Sequence, residues 1–515
     1  MSQNNLENLG TTEQAIRQDQ TVPGAGANDR DKRDEEHFDA CLHGENLSFG
    51  ITLGSSDGRT VFQFNDDRFR HTAIIGRTGS GKSNHILQME REDIRNGAGV
   101  AIIAAHEEDA LYPLMCVPEE RIDDVVILDP TSTRVLPCMN PLDVDRNDKA
   151  AVSKAISDCI QLLKSQCQHD WAGPRFDQMA RLALETMFDP GFLGDSREGQ
   201  QSFARDTHRC STQDDSATSP HIALIERMFT DADFVRSFKG KLQSAHLREQ
   251  WMIEAGSRRS SDADDKVQWF LCKIDPFCSD RVLSHVFGPG KKTIDIKRIV
   301  DEGKILVAII PEHRIGHDAA TFLRTWLLMQ LKDAILQRGG TDGCDDSSYF
   351  GICAKTHRNQ RDLDPFFVYV DEFGEQATVE FASFLAESRK YRVGFTLAFQ
   401  NLAQMRTMDA RTGHESAKLL DAILGNVGTM ICYPVGSTDT ALMARQLNTS
   451  EYDIADIRRY HPLARVLHDN EQHLLTLDVA PKTAPDDPDL PEILADNQII
   501  HNIWLPVRQR PPKCA

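Results

Sequence analysis

No run of apolar residues in this 515-residue chain approaches the roughly 20 needed to cross a bilayer. The most apolar windows, 100–105 and 305–310, have the length of buried strands. The start lacks the apolar core of an export signal, because residues 1–36 are polar and rich in Gln, Asn, Asp and Gly. These absences point to a cytoplasmic protein without an intrinsic membrane segment. Paired cysteines are also missing: none of the 12 has C-x-x-C spacing, which excludes a disulfide framework and a zinc ribbon. Cys272 and Cys278 come nearest to a ligand pair, and with no second pair nearby they read as buried structural thiols. Positive charge is in deficit, with 58 Lys and Arg against 78 Asp and Glu and a net charge of -20. That balance excludes a protein coated by nucleic acid over its whole surface, though not one with a basic channel.

What is present suits a large globular protein: 40% hydrophobic and 26% charged residues, in a chain too long for one hydrophobic core. Residues 1–36 carry too little apolar area to offset the entropy of ordering and read as a disordered arm. Residues 47–64 alternate around Asp57-Gly58, which predicts two short strands and a tight turn. Strands are expected at 71–75, 100–104 and 125–128, with a helix from Ser83 towards Arg95. Strands alternating with helices predict an α/β fold with a mainly parallel sheet. The rhythm breaks near residue 145, where 150–164 and 176–188 have helical spacing, and 193–219 has the polar composition of a surface loop. It resumes with strands at 304–310, 366–370, 393–399 and 427–433, and a long helix at 317–338. The expected organisation is a first nucleotide-binding part at 37–145, an all-α insertion at 146–300, a second nucleotide-binding part at 301–480 and a Pro-rich acidic tail at 481–515.

The segment Gly76-Arg77-Thr78-Gly79-Ser80-Gly81-Lys82-Ser83 fits G-x-x-x-x-G-K-[ST] in full, between a predicted strand and a predicted helix. Glycines let the backbone curl so that its N–H groups point at phosphate oxygens, and the helix N-terminus adds positive potential. Lys82 is expected to reach the β and γ phosphates of ATP, and the Ser83 hydroxyl to ligate Mg²⁺. At the end of the strand 366–370, Asp371 and Glu372 sit where open α/β sheets place ligands. Asp371 is the candidate second Mg²⁺ ligand, and Glu372 the candidate base that polarises the attacking water. A DE pair alone is as often a surface turn, and the phosphate loop is what favours the catalytic reading.

One strand later, Gln400 follows 393–399 and is expected to sense the γ phosphate, although a glutamine at a strand end is ordinarily a hydrogen-bonding cap. Between them lies Ser388-Arg389-Lys390-Tyr391-Arg392, a basic cluster at a helix end. Arg389, ahead of Arg392, is the candidate to reach a neighbouring subunit's nucleotide as an arginine finger, against the plain alternative of a solvated helix end.

The ordered set GRTGSGKS, VYVDEF, ESRKYRVGFTLAFQNLAQM and AILGNVGT resembles the HerA/FtsK-like motors, and within them the conjugative coupling ATPases of type IV secretion, the TraG and TraD type. The likeness runs from about 48 to 480 and includes PEERIDDVVILDP, CMNPLD and WAGPRFDQMARLAL. The resemblance implies a RecA-like P-loop core with an all-α insertion, a homohexameric ring and ATP-driven movement of DNA through its channel. It also implies partners in a type IV secretion channel or among relaxosome proteins. It carries nucleotide binding to Gly79, Gly81, Lys82 and Ser83, catalysis to Asp371 and Glu372, and sensing to Gln400. The chain departs from the pattern at Ala104-Ala105-His106-Glu107-Glu108, where relatives usually show Asp, Pro and Gly. Coupling proteins often have N-terminal membrane helices, so recruitment to the inner membrane here calls for a partner.

On this reading DNA lies against the inner face of the ring, with Arg236, Lys239, Lys241, Arg258, Arg259, Lys291 and Lys292 as candidate contacts. Each is more often a solvated surface charge, because no aromatic residues interleave with them. Two alternatives use the same core: a secretion-machine ATPase that drives protein transfer or assembly without pumping DNA, and a nucleotide-gated binding module that barely hydrolyses.

Overall fold

The computed structural model describes residues 50–132, 137–165, 173–192, 220–257, 261–290, 292–338, 363–375, 379–402, 407–408, 415–416, 418–468 and 471–481. The expected arm at 1–36, the polar loop at 193–219 and almost all of the tail at 481–515 lie outside the described residues.

The chain enters as a hairpin, β1 (Gly50–Ser56) and β2 (Arg59–Phe64), paired antiparallel. Its turn is Asp57-Gly58 with φ of 52° and 77°, the left-handed pair that matches the twist of the flanking strands. Beyond it a 9-stranded sheet forms the centre, in the order β13-β12-β11-β3-β8-β7-β4-β6-β5. The strands are β3 (Thr72–Ile75), β4 (Gly99–Ala104), β5 (Val125–Leu128), β6 (Ile305–Ile309), β7 (Phe366–Val370), β8 (Val393–Phe399), β11 (Thr429–Cys432), β12 (Leu463–His468) and β13 (Glu471–Thr476). From β11 to β5 every pairing is parallel, whereas β12 and β13 are added antiparallel at one edge. A separate two-residue pair, β9 (Thr407–Met408) with β10 (Glu415–Ser416), stands apart.

The parallel strands are mostly apolar because both faces of the sheet are covered. Side chains alternate between two cores: Ile74, Val100 and Ile102 face the helix Lys82–Arg95 and the hairpin, through Ile86, Met89, Ile51 and Leu53. Ala73, Ile75, Ala101 and Ile103 face the opposite way, towards the helix His317–Leu336 and the helical region between β5 and β6. Every described element between those strands is a helix. Asp231, Asp280 and Asp295 cap three of these helices by accepting from backbone N–H groups of the first turn. Rings of Phe176, Phe229, Phe238, Trp251 and Phe270 pack edge-on or tilted at the centre. Trp251 donates its indole N–H to Thr186 Oγ1 at 2.9 Å, which satisfies the ring's polar edge in the core.

One sequence expectation needs correcting. Cys278 is half-buried, but Cys272 is exposed on its helix, with its thiol against the carbonyl of Trp269 at 2.9 Å. It lies on the outward face of an amphipathic helix that also carries buried Phe270 and Leu271.

Candidate nucleotide-binding site

The strand order explains how distant motifs meet. β8 lies between β3 and β7, and all three end at one level, with Ile75 opposite Phe399 and Val370 opposite Leu397. The segments leaving β3, β7 and β8 therefore converge at a single sheet edge.

The loop after β3 is hung between its neighbours: Gly76 N–H donates to Phe399 O at 3.0 Å and Arg77 N–H to Pro434 O at 2.9 Å. A Cβ on Gly76 would stand 2.5 Å from Tyr433 Cβ, so only glycine permits this approach. Gly79 and Gly81 have φ of 75° and 108°, and Gly81 N-caps the helix Lys82–Arg95 without a side chain in the way. Arg77, Thr78 and Gly79 are exposed, Ser83 is half-buried, and Ser80 is buried with a hydroxyl that has no hydrogen-bond partner. A curled backbone with open amides at a helix N-terminus fits a phosphate chain.

Lys82 is 5% exposed, and its Nζ lies 3.4 Å from Asp371 Oδ1. The Asp371 N–H donates to Ile103 O at 3.2 Å, which ties the end of β7 to β4. Glu372 then turns away with φ 54°, a left-handed conformation that is uncommon for a side chain of this size. Gln400 joins the two segments: its Nε2 donates to Glu372 Oε1, and its Oε1 accepts from Thr78 Oγ1 at 2.9 Å.

Arg389 is at the far edge. It is exposed at the entry to β8, where Phe366 N–H donates to Arg392 O at 3.1 Å, opposite the end that holds Lys82. Arg389 is thus not brought to this chain's own Lys82. Arg236 and Lys241 are exposed, Lys239 is half-buried and Lys292 is exposed, while Arg258, Arg259 and Lys291 lie outside the described residues. Arg236 already pairs with Asp233.

Several neighbours of the site are not evident from the motifs. The helix Glu107–Leu114 begins inside the departure after β4 and brings Asp109 to a small cavity shared with Ser83, Glu90 and Asp371. Burial, reinforced by the carboxylates of Asp109, Asp371 and Asp93, pushes Glu90 well above the usual carboxylate range. Tyr460, at φ 65°, sets its ring where a Cβ on Gly81 would come within 2.8 Å. Past Tyr460, the Ala480 carbonyl accepts from Asn84 Nδ2 at 2.9 Å and from Gln88 Nε2. Asn84, Leu87, Tyr460 and Pro481 border an open space of about 310 Å³ beside Ser83. Only the break in the family pattern at Ala104–Glu108 signalled this region.

A comparison with protein-family models finds no match. Among curated proteins, the chain is 22% identical over 391 residues to the type 4 coupling protein DotL of Legionella pneumophila, covering 69% of this chain and 47% of DotL. The chain thus spans about half the length of that relative. Among solved structures, the bacterial conjugative coupling protein TrwB in its unbound form aligns over 85% of this chain and 92% of its own, with a TM-score of 0.53 and 15% identity. TrwB has also been solved with ADP and Mg²⁺. VirB4 of Thermoanaerobacter pseudethanolicus aligns over 84% of this chain and 97% of its own, with a TM-score of 0.53 and 14% identity. Among the described residues no helix is long and apolar enough to cross a membrane. The chain is thus similar in sequence to a type 4 coupling protein and similar in fold to TrwB and VirB4.

Proposed function

We propose that the chain hydrolyses ATP at the convergence of the loop after β3 with the ends of β7 and β8, and uses the energy to move DNA in conjugative transfer. The observation that carries this reading is the Lys82–Asp371 contact at 3.4 Å, which puts the phosphate loop and the acidic strand within reach of one ligand. The backbone amides of Gly79, Gly81, Lys82 and Ser83 and the Lys82 ammonium would hold the β and γ phosphates, and Ser83 with Asp371 would hold Mg²⁺. Magnesium, when bound there, neutralises phosphate charge. Glu372 accepts the proton of the attacking water, and Gln400 keeps that carboxylate aimed while reporting on the loop through Thr78.

DNA as the cargo is supported by the sequence relation to DotL, a coupling protein, and by the fold shared with TrwB, a conjugative coupling protein. VirB4 shares the fold equally, so the fold alone serves a secretion ATPase as well. On the DNA reading the chain assembles into a homohexameric ring with DNA on its inner face, Arg389 reaches a neighbour's nucleotide, and a partner in the type IV secretion channel or relaxosome brings this cytoplasmic motor to the inner membrane. The domain division at 37–145, 146–300 and 301–480 belongs to the same proposal.

ATP turnover is measured with and without DNA, at rising salt, beside Lys82→Ala. Stimulation by DNA that declines with salt supports translocation, because phosphate contacts are screened. Turnover indifferent to DNA favours the secretion ATPase, and normal turnover in Lys82→Ala overturns the site.

A further inference from the structure

The helix that follows the phosphate loop carries a carboxylate at an unusual place. Glu90 is 3% exposed, two turns beyond Ser83, and its Oε2 is buried with no hydrogen-bond partner. Leaving a carboxylate oxygen unsatisfied in the interior costs free energy that a packed helix normally avoids by placing an apolar residue there. Glu90 lines a cavity of about 20 Å³ whose wall also includes Ser83, Asp109 and Asp371. That is room for about one water or ion. Ser83 and Asp371 are the pair assigned above to Mg²⁺, so Glu90 lines the same cavity as that pair and not a separate surface. Among the described residues no group of His, Cys, Asp and Glu side chains is arranged to hold a metal by itself. Mg²⁺ suits such a setting, because it keeps several waters and takes its direct ligands from one or two protein oxygens and the phosphates.

We propose that Glu90 is a positioning residue for the nucleotide-bound magnesium ion, accepting hydrogen bonds from the metal's water ligands across the cavity, with Asp109 as the second acceptor. This inference rests on the nucleotide reading above. Outer partners of metal ligands fix ligand orientation, and their loss typically weakens metal binding by about 10- to 100-fold. Asp109 directly follows the segment where the chain departs from its relatives' pattern, on the helix that begins within that departure. The Lys82 ammonium, paired with Asp371, offsets part of the negative charge that this arrangement gathers.

The test reads metal binding directly, by Mn²⁺ electron paramagnetic resonance on the full chain with saturating ADP, in wild type, Glu90→Gln, Glu90→Asp and Ser83→Ala. Glu90→Gln is expected to weaken Mn²⁺ binding by about tenfold or more while metal-free ADP affinity stays within about twofold. Glu90→Asp, which keeps the carboxyl group but withdraws it, is expected to fall between. Unchanged Mn²⁺ affinity in Glu90→Gln, with Ser83→Ala weakened, overturns the role of Glu90 and leaves the nucleotide reading intact. Unchanged affinity in Ser83→Ala as well overturns both. If thermal unfolding shows Glu90→Gln to be misfolded, Glu90→Asp decides: a loss of Mn²⁺ affinity supports the role and no change removes it.

Discussion

The Gln400 side-chain amide donates to the Glu372 carboxylate while accepting from Thr78 at 2.9 Å, so the residue that follows β8 connects the phosphate loop to the acidic strand. Removing that amide frees Glu372 without touching the loop amides or Lys82. Gln400→Ala is expected to lower kcat for ATP by about 10²-fold, within the range of lost general-base assistance, with nucleotide affinity within about twofold. Steady-state turnover and fluorescent-nucleotide titration check this. A lowered affinity with normal kcat would place Gln400 in binding alone.

Glu372→Gln keeps the shape of the side chain and removes the base. Turnover is expected to fall by at least about 10²-fold while nucleotide binding persists. Near-normal turnover would instead favour a nucleotide-gated module in which hydrolysis is incidental.

Gly81 meets two separate constraints, φ of 108° and a Tyr460 ring atom 2.8 Å from the position of an added Cβ. Gly81→Ala is expected to abolish nucleotide binding, with a loss of about 1–3 kcal/mol from backbone strain. The double variant Gly81→Ala/Tyr460→Ala relieves the clash but not the strain. It is therefore expected to recover thermal stability only in part, and full recovery would show that the ring contact alone demands glycine.

Arg68 and Asp93 form a two-pronged ion pair at 2.7 and 2.6 Å, each side chain 2% exposed, and Tyr369 also donates to Asp93. Asp93→Ala leaves the guanidinium buried without its counter-charge and is expected to cost about 3–5 kcal/mol in chemical denaturation. Tyr369→Phe removes one hydrogen bond to a charged group and is expected to cost about 1.5–3 kcal/mol. Equal costs would mean that the pair contributes no more than the hydroxyl.

Burial pushes Glu92 up to about 7, against hydrogen bonds from the Thr52 N–H to both carboxylate oxygens that favour the charged form. Its pKa is raised in the folded state, so the contribution to stability is fully present below the ordinary carboxylate pKa and is lost as pH rises through about 7. The loss between pH 4.5 and 8 amounts to about 3 kcal/mol. Comparison with Glu92→Gln cancels the other titrating groups. The variant is expected to gain on wild type as pH rises from 5 to 8 in urea unfolding, and a constant difference across that range refutes the assignment.

The parts legible in the sequence were those whose chemistry is local. Gly76–Ser83 and Asp371-Glu372 declare themselves because phosphate cradles and strand-end carboxylates need fixed residue types in a fixed order. The parallel strands were visible as short, mostly apolar runs, since burial on both faces leaves them few polar positions, such as Thr72, Thr396 and Thr429. β12 and β13 were missed because LARVLH and EQHLLT sit at an edge with one face largely exposed, where pattern and burial decouple. Glu90 was missed for the opposite reason: within MEREDIR it reads as one charge on a solvated helix face, and only the packing of Glu107–Leu114 against that helix buries it. Tyr460 reaches Gly81 across more than 370 residues, a proximity no local pattern encodes.

The carbonyl of Ala480, gripped by Asn84 and Gln88, fixes where the polypeptide leaves the described fold: at the rim of the space beside Ser83. Ala480 is therefore tied to the very helix whose first turn continues the glycine loop. A pull on the backbone at Ala480 is delivered to Asn84 and Gln88 first, and so to the helix that begins at Lys82.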